Sequence, residues 1–340
     1  MEKKTLFFLA MFVLIASLFL TGSAQACPNR PCTCGRTIDP IVSTQWLDDA
    51  INGDGPAEDL VIIDIRIPPD YQPAHIPGSI NEPFVLDATA TGCPFSNWII
   101  CRDDLWLEIP NKDALFGTIG SLGINDNSKV VIVTGPLPGQ PPIYASANAT
   151  RVALTLIYAG VKNVAILDGG YPKWEAEYRT TTVDVPEVTA VDYRGKMNNA
   201  IIVSRQYVKK RIWKADIIDA RDADVYYGAT IEPFALDAGH IRSAKCLPTP
   251  WMWEVDPSGT YYSYKDTELL RELAQSVIGN PWHWKRHLGQ EIIVYCGVGG
   301  YASSWWFVLT QVLGYDNVKL YDGSAQEWVM KYKMIPYQWD

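Results

Sequence analysis

A cysteine stands between a short β-rich run and a glycine-rich loop in the second half of the chain. Cys296 follows the apolar residues Ile292–Tyr295 in the stretch "IIVYCGVGGYASSWW". A cysteine attacks as a thiolate, and its ordinary pKa of about 8.5 leaves only a small fraction ionised at neutral pH. A catalytic role for Cys296 therefore requires surroundings that stabilise negative charge on the sulfur.

Two features of the following loop can supply this stabilisation. The loop glycines are Gly297, Gly299 and Gly300. Glycine adopts positive φ values that turn successive backbone N–H groups inward, and a helix beginning near Ala302 points the positive end of its dipole at the sulfur. The pattern predicts that Cys296 is a nucleophile whose thiolate or persulfide is held by the loop. The alternative is a buried, inert cysteine at the end of a strand.

The elements that position Cys296 belong to an internal repeat. The first half of the chain contains "VIIDIR", "AHIPGSINEP", "VVIVTG" and "VAILDGGYPKW", and the second contains "DIIDAR", "GHIRSAKCLP", "IIVYCG" and "VKLYDGSAQEW" in the same order. The separation of Asp64 from Asp168 differs by a single residue from that of Asp219 from Asp322. Equal order and near-equal length indicate a duplication.

Each half alternates short Val/Ile-rich runs with helical patterns, of which Ala145–Tyr158 and Ala302–Leu313 are the clearest. This alternation is typical of an α/β domain with a mostly parallel sheet flanked by helices, and continuous apolar runs indicate strands buried on both faces. We predict two such domains in tandem, over residues 38–179 and 194–340, joined by a linker over 180–193.

The motifs of the second half resemble those of the rhodanese family, specifically the two-domain thiosulfate and 3-mercaptopyruvate sulfurtransferases. The segment from Asp219 to Trp251 is similar to that family's D-x-R…Y-x-G…GHI segment, and Cys296 falls where the family's nucleophile opens the active loop. The resemblance implies two tandem rhodanese-like domains with a catalytic C-terminal domain and a degenerate N-terminal one. Thr134, which stands opposite Cys296 in the repeat, agrees with that assignment.

The resemblance implies a sulfur transfer in two steps that requires no metal or organic cofactor. Cys296 attacks the outer sulfur of a small anionic donor such as thiosulfate and becomes a persulfide. It then passes this sulfur to a thiophilic acceptor such as cyanide or a thiol. The residues expected to bind substrate are Arg221, Gly297, Val298, Gly299, Gly300 and Tyr301.

Three further side chains are candidate auxiliary residues: Asp219, His240 and Cys246. By resemblance, Arg221 binds the anionic end of the donor, because its guanidinium makes two charge-assisted hydrogen bonds; the alternative is a structural pair with Asp219. His240 has a counterpart, His75, in the half without the cysteine, which favours a shared role in holding the fold.

The loop departs from both family patterns. Thiosulfate enzymes usually carry basic residues after the cysteine, and mercaptopyruvate enzymes carry Ser and Thr, whereas this chain has Val298, Gly300 and Tyr301. Tyr301 either supplies a phenol in place of the threonine hydroxyl or serves packing. The donor is therefore left open, with thiosulfate or another inorganic sulfur compound favoured by the expected export of the chain.

The chain contains seven cysteines, an odd number. For an exported chain this count predicts disulfides and at least one thiol left over. Cys93 and Cys101 are placed to form a bridge. Cys246 either resolves a Cys296 persulfide, forms a disulfide with Cys296, or packs as a small apolar residue. The remaining cysteines, which form disulfides, bind metal or belong to a flexible leader, are Cys27, Cys32 and Cys34. Their spacing matches no zinc site.

Residues 1–26 have the pattern of a signal peptide, with two lysines, an apolar run from Leu6 to Leu20, and small residues before Cys27. Residues 27–37 then form a cysteine-containing leader. We expect export, to a periplasm, and membrane attachment only if Cys27 is lipidated.

The charge of the chain excludes one class of partner. With 29 basic and 38 acidic residues the net charge is −9, the wrong sign for binding nucleic acid. Two other function classes compete with sulfur transfer. A non-catalytic exported module of the same fold, binding sulfur species, metal or an electron-transfer partner, stays an alternative. A phosphatase-like or arsenate-reducing relative is disfavoured, because it needs a longer cysteine loop closed by arginine.

Overall fold

The computed structural model describes residues 36–53, 55, 58–86, 92–93, 95–278 and 290–337. The predicted signal peptide, the leader cysteines Cys27, Cys32 and Cys34, and residues 338–340 lie outside this part. None of the helices described there is long and apolar enough to cross a bilayer.

The first half of the chain contains seven strands and five helices within the described residues. The strands are β1 Ile41–Val42, β2 Leu60–Asp64, β3 Ser79–Asn81, β4 Ile100–Arg102, β5 Leu105–Glu108, β6 Lys129–Val133 and β7 Asn163–Leu167. The helices are α1 Thr44–Asn52, α2 Pro68–Tyr71, α3 Lys112–Ser121, α4 Tyr144–Tyr158 and α5 Gly170–Ala176.

The second half repeats this series. Its described strands are β8 Ile202–Val203, β9 Asp216–Asp219, β10 Lys245–Cys246, β11 Trp253–Val255, β12 Tyr262–Tyr264, β13 Ile292–Tyr295 and β14 Val318–Tyr321. Its helices are α6 Arg205–Arg211, α7 Ala223–Tyr227, α8 Thr267–Ile278, α9 Gly300–Phe307 and α10 Ser324–Val329, with a 3-10 helix at Thr249–Met252 and a π-helix at Val308–Val312.

Two five-stranded sheets with the same topology form the centres of the two halves. Their strand orders are β1-β7-β6-β2-β3 and β8-β14-β13-β9-β10, and every pairing within them is parallel. The strands are made of the Val/Ile-rich runs because both faces of each sheet are covered. The prediction of two parallel-sheet α/β domains flanked by helices is confirmed.

The chain between the sheets crosses over without regular structure, since residues 183–198 form no helix or strand. This stretch overlaps the predicted linker. Its backbone bonds to the first half, as where Val191 donates its N–H to the Gly120 carbonyl over 2.9 Å. The predicted bridge between Cys93 and Cys101 is present.

The two halves pack through helices α4 and α9, whose side chains belong to a single buried core. Helix α4 is buried along almost its whole length, including the polar residues Thr150 and Arg151. The Thr150 hydroxyl lies 2.7 Å from that of Ser304 and 3.2 Å from that of Ser303. Hydroxyls thus pair with hydroxyls across the helix contact, which satisfies polar groups that water cannot reach.

Candidate active site

Cys296 lies where strand β13 ends and the loop into helix α9 begins, as the sequence predicts. Its side chain is buried, with 2% of the residue exposed. Its N–H donates to the Ser324 hydroxyl over 3.2 Å, and its carbonyl accepts from the Ala325 N–H over 2.9 Å. The start of helix α10 therefore fixes the backbone that carries the sulfur.

Backbone N–H groups of the loop point at the sulfur. The Gly299 N–H donates to Cys296 Sγ over 3.1 Å. The N–H groups of Val298, Gly299 and Ala302 lower the pKa of the Cys296 thiol, but burial raises it more, so the net direction is upward. The loop thus offers the expected anion cradle, while the exclusion of water keeps the resting sulfur protonated at neutral pH.

Only one of the three loop glycines has the conformation expected from the sequence. Gly299 has a φ of 91°, and Gly297 and Gly300 have no positive φ. Gly299 also sits close to the other half, because a Cβ there would lie 3.1 Å from Arg151 Nη1. Gly297 serves a different purpose: a Cβ at that position would lie 2.8 Å from the Glu232 carboxylate. At Gly300 the nearest atom would be 3.8 Å away.

Glu232 is a site residue that the sequence did not reveal. Its carboxylate packs against Gly297 and is 19% exposed. Burial raises the pKa of Glu232 to about 7, although the nearby Arg221 acts in the opposite direction. The carboxylate in turn contributes to the raised pKa of Cys296. In the sequence Glu232 is one acidic residue in a loop that precedes the GHI motif, and no spacing rule connects it to a cysteine 64 positions later.

Arg221 is held by its own strand end. Its Nε and Nη2 donate to the two Asp219 carboxylate oxygens over 2.9 and 2.7 Å, and Nη2 also donates to the Gly239 carbonyl over 2.6 Å. Nη1 approaches Glu232 at 3.5 Å. This geometry favours the structural pair with Asp219 over direct binding of a donor. In the first half, Arg66 and Asp64 repeat the same pair.

The two histidines of the repeat have equivalent surroundings. His240 stacks on Tyr226 with the rings 3.9 Å apart, and its Nδ1 lies 2.9 Å from the Tyr226 carbonyl. His75 stacks on Tyr71 at 3.8 Å in the same manner. A role in holding the fold therefore accounts for both.

Cys246 lies across the sheet from the active loop. It pairs with Asp219 in β9, and Asp219 pairs with Tyr295 in β13. Two strand spacings separate Cys246 from Tyr295, roughly 10 Å. A disulfide between Cys246 and Cys296 would therefore require movement of the backbone. Burial raises the pKa of Cys246 to about 12.

Tyr301 packs against the first half of the chain. Its ring meets the Tyr144 ring edge to face at 5.5 Å, and its carbonyl accepts from the Thr249 hydroxyl over 3.0 Å. Of the two readings of Tyr301, the ring contact supports packing. It also places two half-buried phenol rings beside the loop.

An ion pair between the halves lies beneath the loop. Arg151 Nη1 and Asp322 Oδ1 are 2.6 Å apart, and Arg151 is completely buried. Arg151 also donates to the Leu107 carbonyl, and Asp322 Oδ2 accepts from the Ile109 N–H over 3.1 Å. Arg151 could not be identified from the sequence, because arginine side chains are ordinarily solvent-exposed.

The equivalent loop of the first half carries no thiol. Thr134 follows strand β6 as Cys296 follows β13, and its carbonyl accepts from the Tyr171 N–H over 2.8 Å. Its hydroxyl donates to the Ala145 carbonyl over 2.9 Å. Within the described part of the chain, no three His, Cys, Asp or Glu side chains are grouped so that they could hold a metal ion.

Comparison with known proteins agrees with this geometry. A family model described as Rhodanese-like domain matches residues 43–177 and 204–331. The chain is 28% identical over 301 residues to a protein of Saccharopolyspora erythraea named "Putative thiosulfate sulfurtransferase", covering 85% of this chain and 92% of the relative. It is 28% identical over 306 residues to the "Sulfur carrier protein TtuD" of Thermus thermophilus, covering 85% and 93%. The fold is similar to that in "Crystal structure of YnjE", with a TM-score of 0.68 at 22% identity, over 88% of this chain and 69% of the other.

Proposed function

This chain belongs to the family of rhodanese-like domains, and from that premise we propose that it is a sulfurtransferase whose Cys296 carries the sulfur as a persulfide. The observation that carries the proposal is the backbone N–H of Gly299, 3.1 Å from Cys296 Sγ at the end of a parallel strand. Relatives named as a thiosulfate sulfurtransferase and as a sulfur carrier support sulfur transfer at the level of the family.

The reaction has two balanced steps with thiosulfate as donor and cyanide as acceptor. The Cys296 thiolate bonds to the outer sulfur, the sulfur–sulfur bond of thiosulfate breaks, and sulfite leaves with the electron pair. Cyanide then bonds to the outer sulfur of the persulfide, the bond to Cys296 breaks, and thiocyanate leaves as the thiolate returns. Loop N–H groups stabilise the negative sulfur at the start and end of this cycle.

In this proposal the first half supports the site without performing chemistry. Leu107 and Arg151 lie against the loop glycines, and Tyr144 packs on Tyr301. Thr134 has no thiol with which to form a persulfide. One copy of the duplicated unit therefore carries the reacting cysteine, and the other contributes residues that line the site.

The test is intact-protein mass spectrometry after incubation with thiosulfate and removal of excess donor. We expect a gain of one sulfur atom that cyanide removes. Cys296→Ser should abolish the gain, and Cys246→Ser, the matched control at the other described free thiol, should retain it. Absence of the gain with thiosulfate, mercaptopyruvate and polysulfide would overturn the proposal.

The burial of Cys296 favours a second candidate, a non-catalytic module that retains an anion cradle. Such a module would bind a sulfur species without covalent transfer. It predicts binding that survives in Cys296→Ala and no persulfide in the wild type, so the same mass measurement separates the two functions.

We also propose that the chain is exported and processed before Cys27. The support is the pattern of residues 1–26. Mass determination of the N-terminal peptide from the periplasmic fraction tests this, with Cys27 as the expected first residue. An intact Met1 in the cytoplasmic fraction would contradict it.

A further inference from the structure

The carboxylate of Glu232 lies against the loop that carries Cys296. It touches Gly297, the residue next to the nucleophile, closely enough that a Cβ at 297 would be 2.8 Å from Oε2 and 3.2 Å from Oε1. Gly297 is thus the residue that makes room for this carboxylate. The approach to Cys296 is bordered by a fixed acidic group rather than by an open cation.

Arg221 is shared between two carboxylates beside the loop, those of Asp219 and Glu232. Arg221 forms its bidentate pair with Asp219, which neutralises most of its charge, and only Nη1 faces Glu232, at 3.5 Å. On the other side of the loop, Arg151 is paired with Asp322 at 2.6 Å. Both guanidiniums are therefore already paired with aspartates, and the negative charge of Glu232 is only partly neutralised.

Further acidic and aromatic groups face the same space. Asp222 lies within electrostatic reach of both Glu232 and Tyr301. The Tyr301 and Tyr144 rings border the loop, and Trp106 packs on Phe234, two residues after Glu232, with the rings 5.5 Å apart. Aromatic faces and carboxylates together accommodate neutral or positively charged groups, and they repel anions.

We propose that Glu232 determines the specificity of this site, by disfavouring sulfur compounds that are anionic next to the reacting sulfur and favouring uncharged or cationic ones. The proposal rests on sulfur transfer at Cys296 and narrows its substrates. Thiosulfate, a dianion, is then a poor donor in comparison with an uncharged donor such as an organic trisulfide. The Cys296 thiolate bonds to the central sulfur of the trisulfide, and one alkylthiolate leaves. This alkylthiolate then bonds to the terminal sulfur of the mixed trisulfide, so that a disulfide leaves and the Cys296 persulfide remains. The sequence of the loop agrees with this selectivity, since no lysine or arginine that would attract an anion lies between Cys296 and Trp306.

The test uses two reagents of opposite charge that carry the same reactive group, 2-sulfonatoethyl and 2-(trimethylammonium)ethyl methanethiosulfonate. Each transfers its alkylthio group to the Cys296 thiolate with loss of methanesulfinate. Rates at Cys296 are followed by peptide mass spectrometry at about pH 8.5, where the Glu232 carboxylate, whose pKa burial raises to about 7, carries its charge. The cation-to-anion rate ratio is compared with that of 2-mercaptoethanol at the same pH. A ratio cancels any change in the ionised fraction of Cys296. Comparing the ratio of the wild type with that of Glu232→Gln also cancels the difference in shape between the two reagents.

We expect the wild-type ratio to exceed that of 2-mercaptoethanol by about tenfold or more, as for a partly screened charge within several ångströms. Glu232→Gln should remove most of this excess, and Glu232→Asp, which keeps the charge, should retain a part of it. Glu187→Gln, the same change on an exposed linker residue, should leave the ratio unchanged.

A wild-type ratio equal to that of 2-mercaptoethanol would overturn the proposal even if Glu232→Gln failed to fold. An excess that persists in a folded Glu232→Gln would also overturn it. A second measurement addresses substrates: Glu232→Gln should raise kcat/KM for thiosulfate relative to that for dimethyl trisulfide. If no donor forms a persulfide but the rate ratio behaves as expected, the proposed sulfur transfer is wrong. The proposed selectivity of Glu232 for charge is then retained.

Discussion

Arg151 of helix α4 and Asp322 after strand β14 form a buried ion pair, 2.6 Å between Nη1 and Oδ1, directly beneath Gly299 of the active loop. The two residues come from different copies of the duplicated unit. The loop that carries Cys296 therefore depends on a charge supplied by the copy that has threonine at the equivalent position.

Replacing Arg151 by methionine should destabilise the protein strongly. Asp322 would be left buried without its cation, and breaking a buried pair from one side costs about 3–5 kcal/mol. Urea unfolding followed by tryptophan fluorescence measures the change in the free energy of unfolding. Arg194→Met, at an exposed pair with Asp192, is the matched control and should have little effect. Equal effects of the two changes would contradict the importance of the buried pair.

Alanine substitutions at Gly299 and Gly300 should have different effects, because only Gly299 has a positive φ and a close neighbour. Gly299→Ala forces a side chain into a φ of 91° beside Arg151, and we expect a loss of about 1–3 kcal/mol of stability together with much slower modification of Cys296. Gly300→Ala finds its nearest neighbour at 3.8 Å in the first turn of a helix, so it should be neutral or slightly stabilising. Thermal unfolding and alkylation rates measure both, and a reversed order of the two variants would refute this account.

The alkylation of Cys296 should require high pH. Burial raises the pKa of Cys296 above its ordinary value, so the thiolate fraction, and with it the rate with iodoacetamide, should still be rising above about pH 9. Glu232→Gln removes a negative charge that raises this pKa, so its rate profile should move to lower pH. A profile that does not move would show that the Glu232 carboxylate exerts no field at the sulfur.

Stability should fall as pH rises above about 4.5, in part through Glu108. Burial and the neighbouring Asp322 raise the pKa of Glu108, so the folded protein retains a proton that the unfolded chain releases. The unfolded state then binds fewer protons over this range, and the free energy of unfolding decreases with pH until the folded-state pKa is passed. Glu108→Gln should flatten this decrease in urea titrations between about pH 5 and 8. An identical slope in the variant would exclude Glu108 as its source.

The sequence by itself determined the architecture and the position of Cys296, the proposed nucleophile. The Val/Ile-rich runs became strands β2, β6, β9 and β13 because a parallel sheet covered on both faces requires continuous apolar segments. The repeat aligned Cys296 with Thr134, and both follow the central strand of their sheet. These features are local or periodic, so they are visible in a single chain.

Only the tertiary structure decided what surrounds the sulfur. Glu232, Arg151 and Leu107 reach the loop from 64 to 189 residues away, through packing that no local pattern encodes. Arg221 had two readings in the sequence, and the bonds to Asp219 and Gly239 favour the structural one. The direction of the Cys296 pKa shift could also not be predicted from the sequence. The glycines predicted N–H groups that stabilise a thiolate, but the depth of burial depends on the assembled fold, and it raises the pKa.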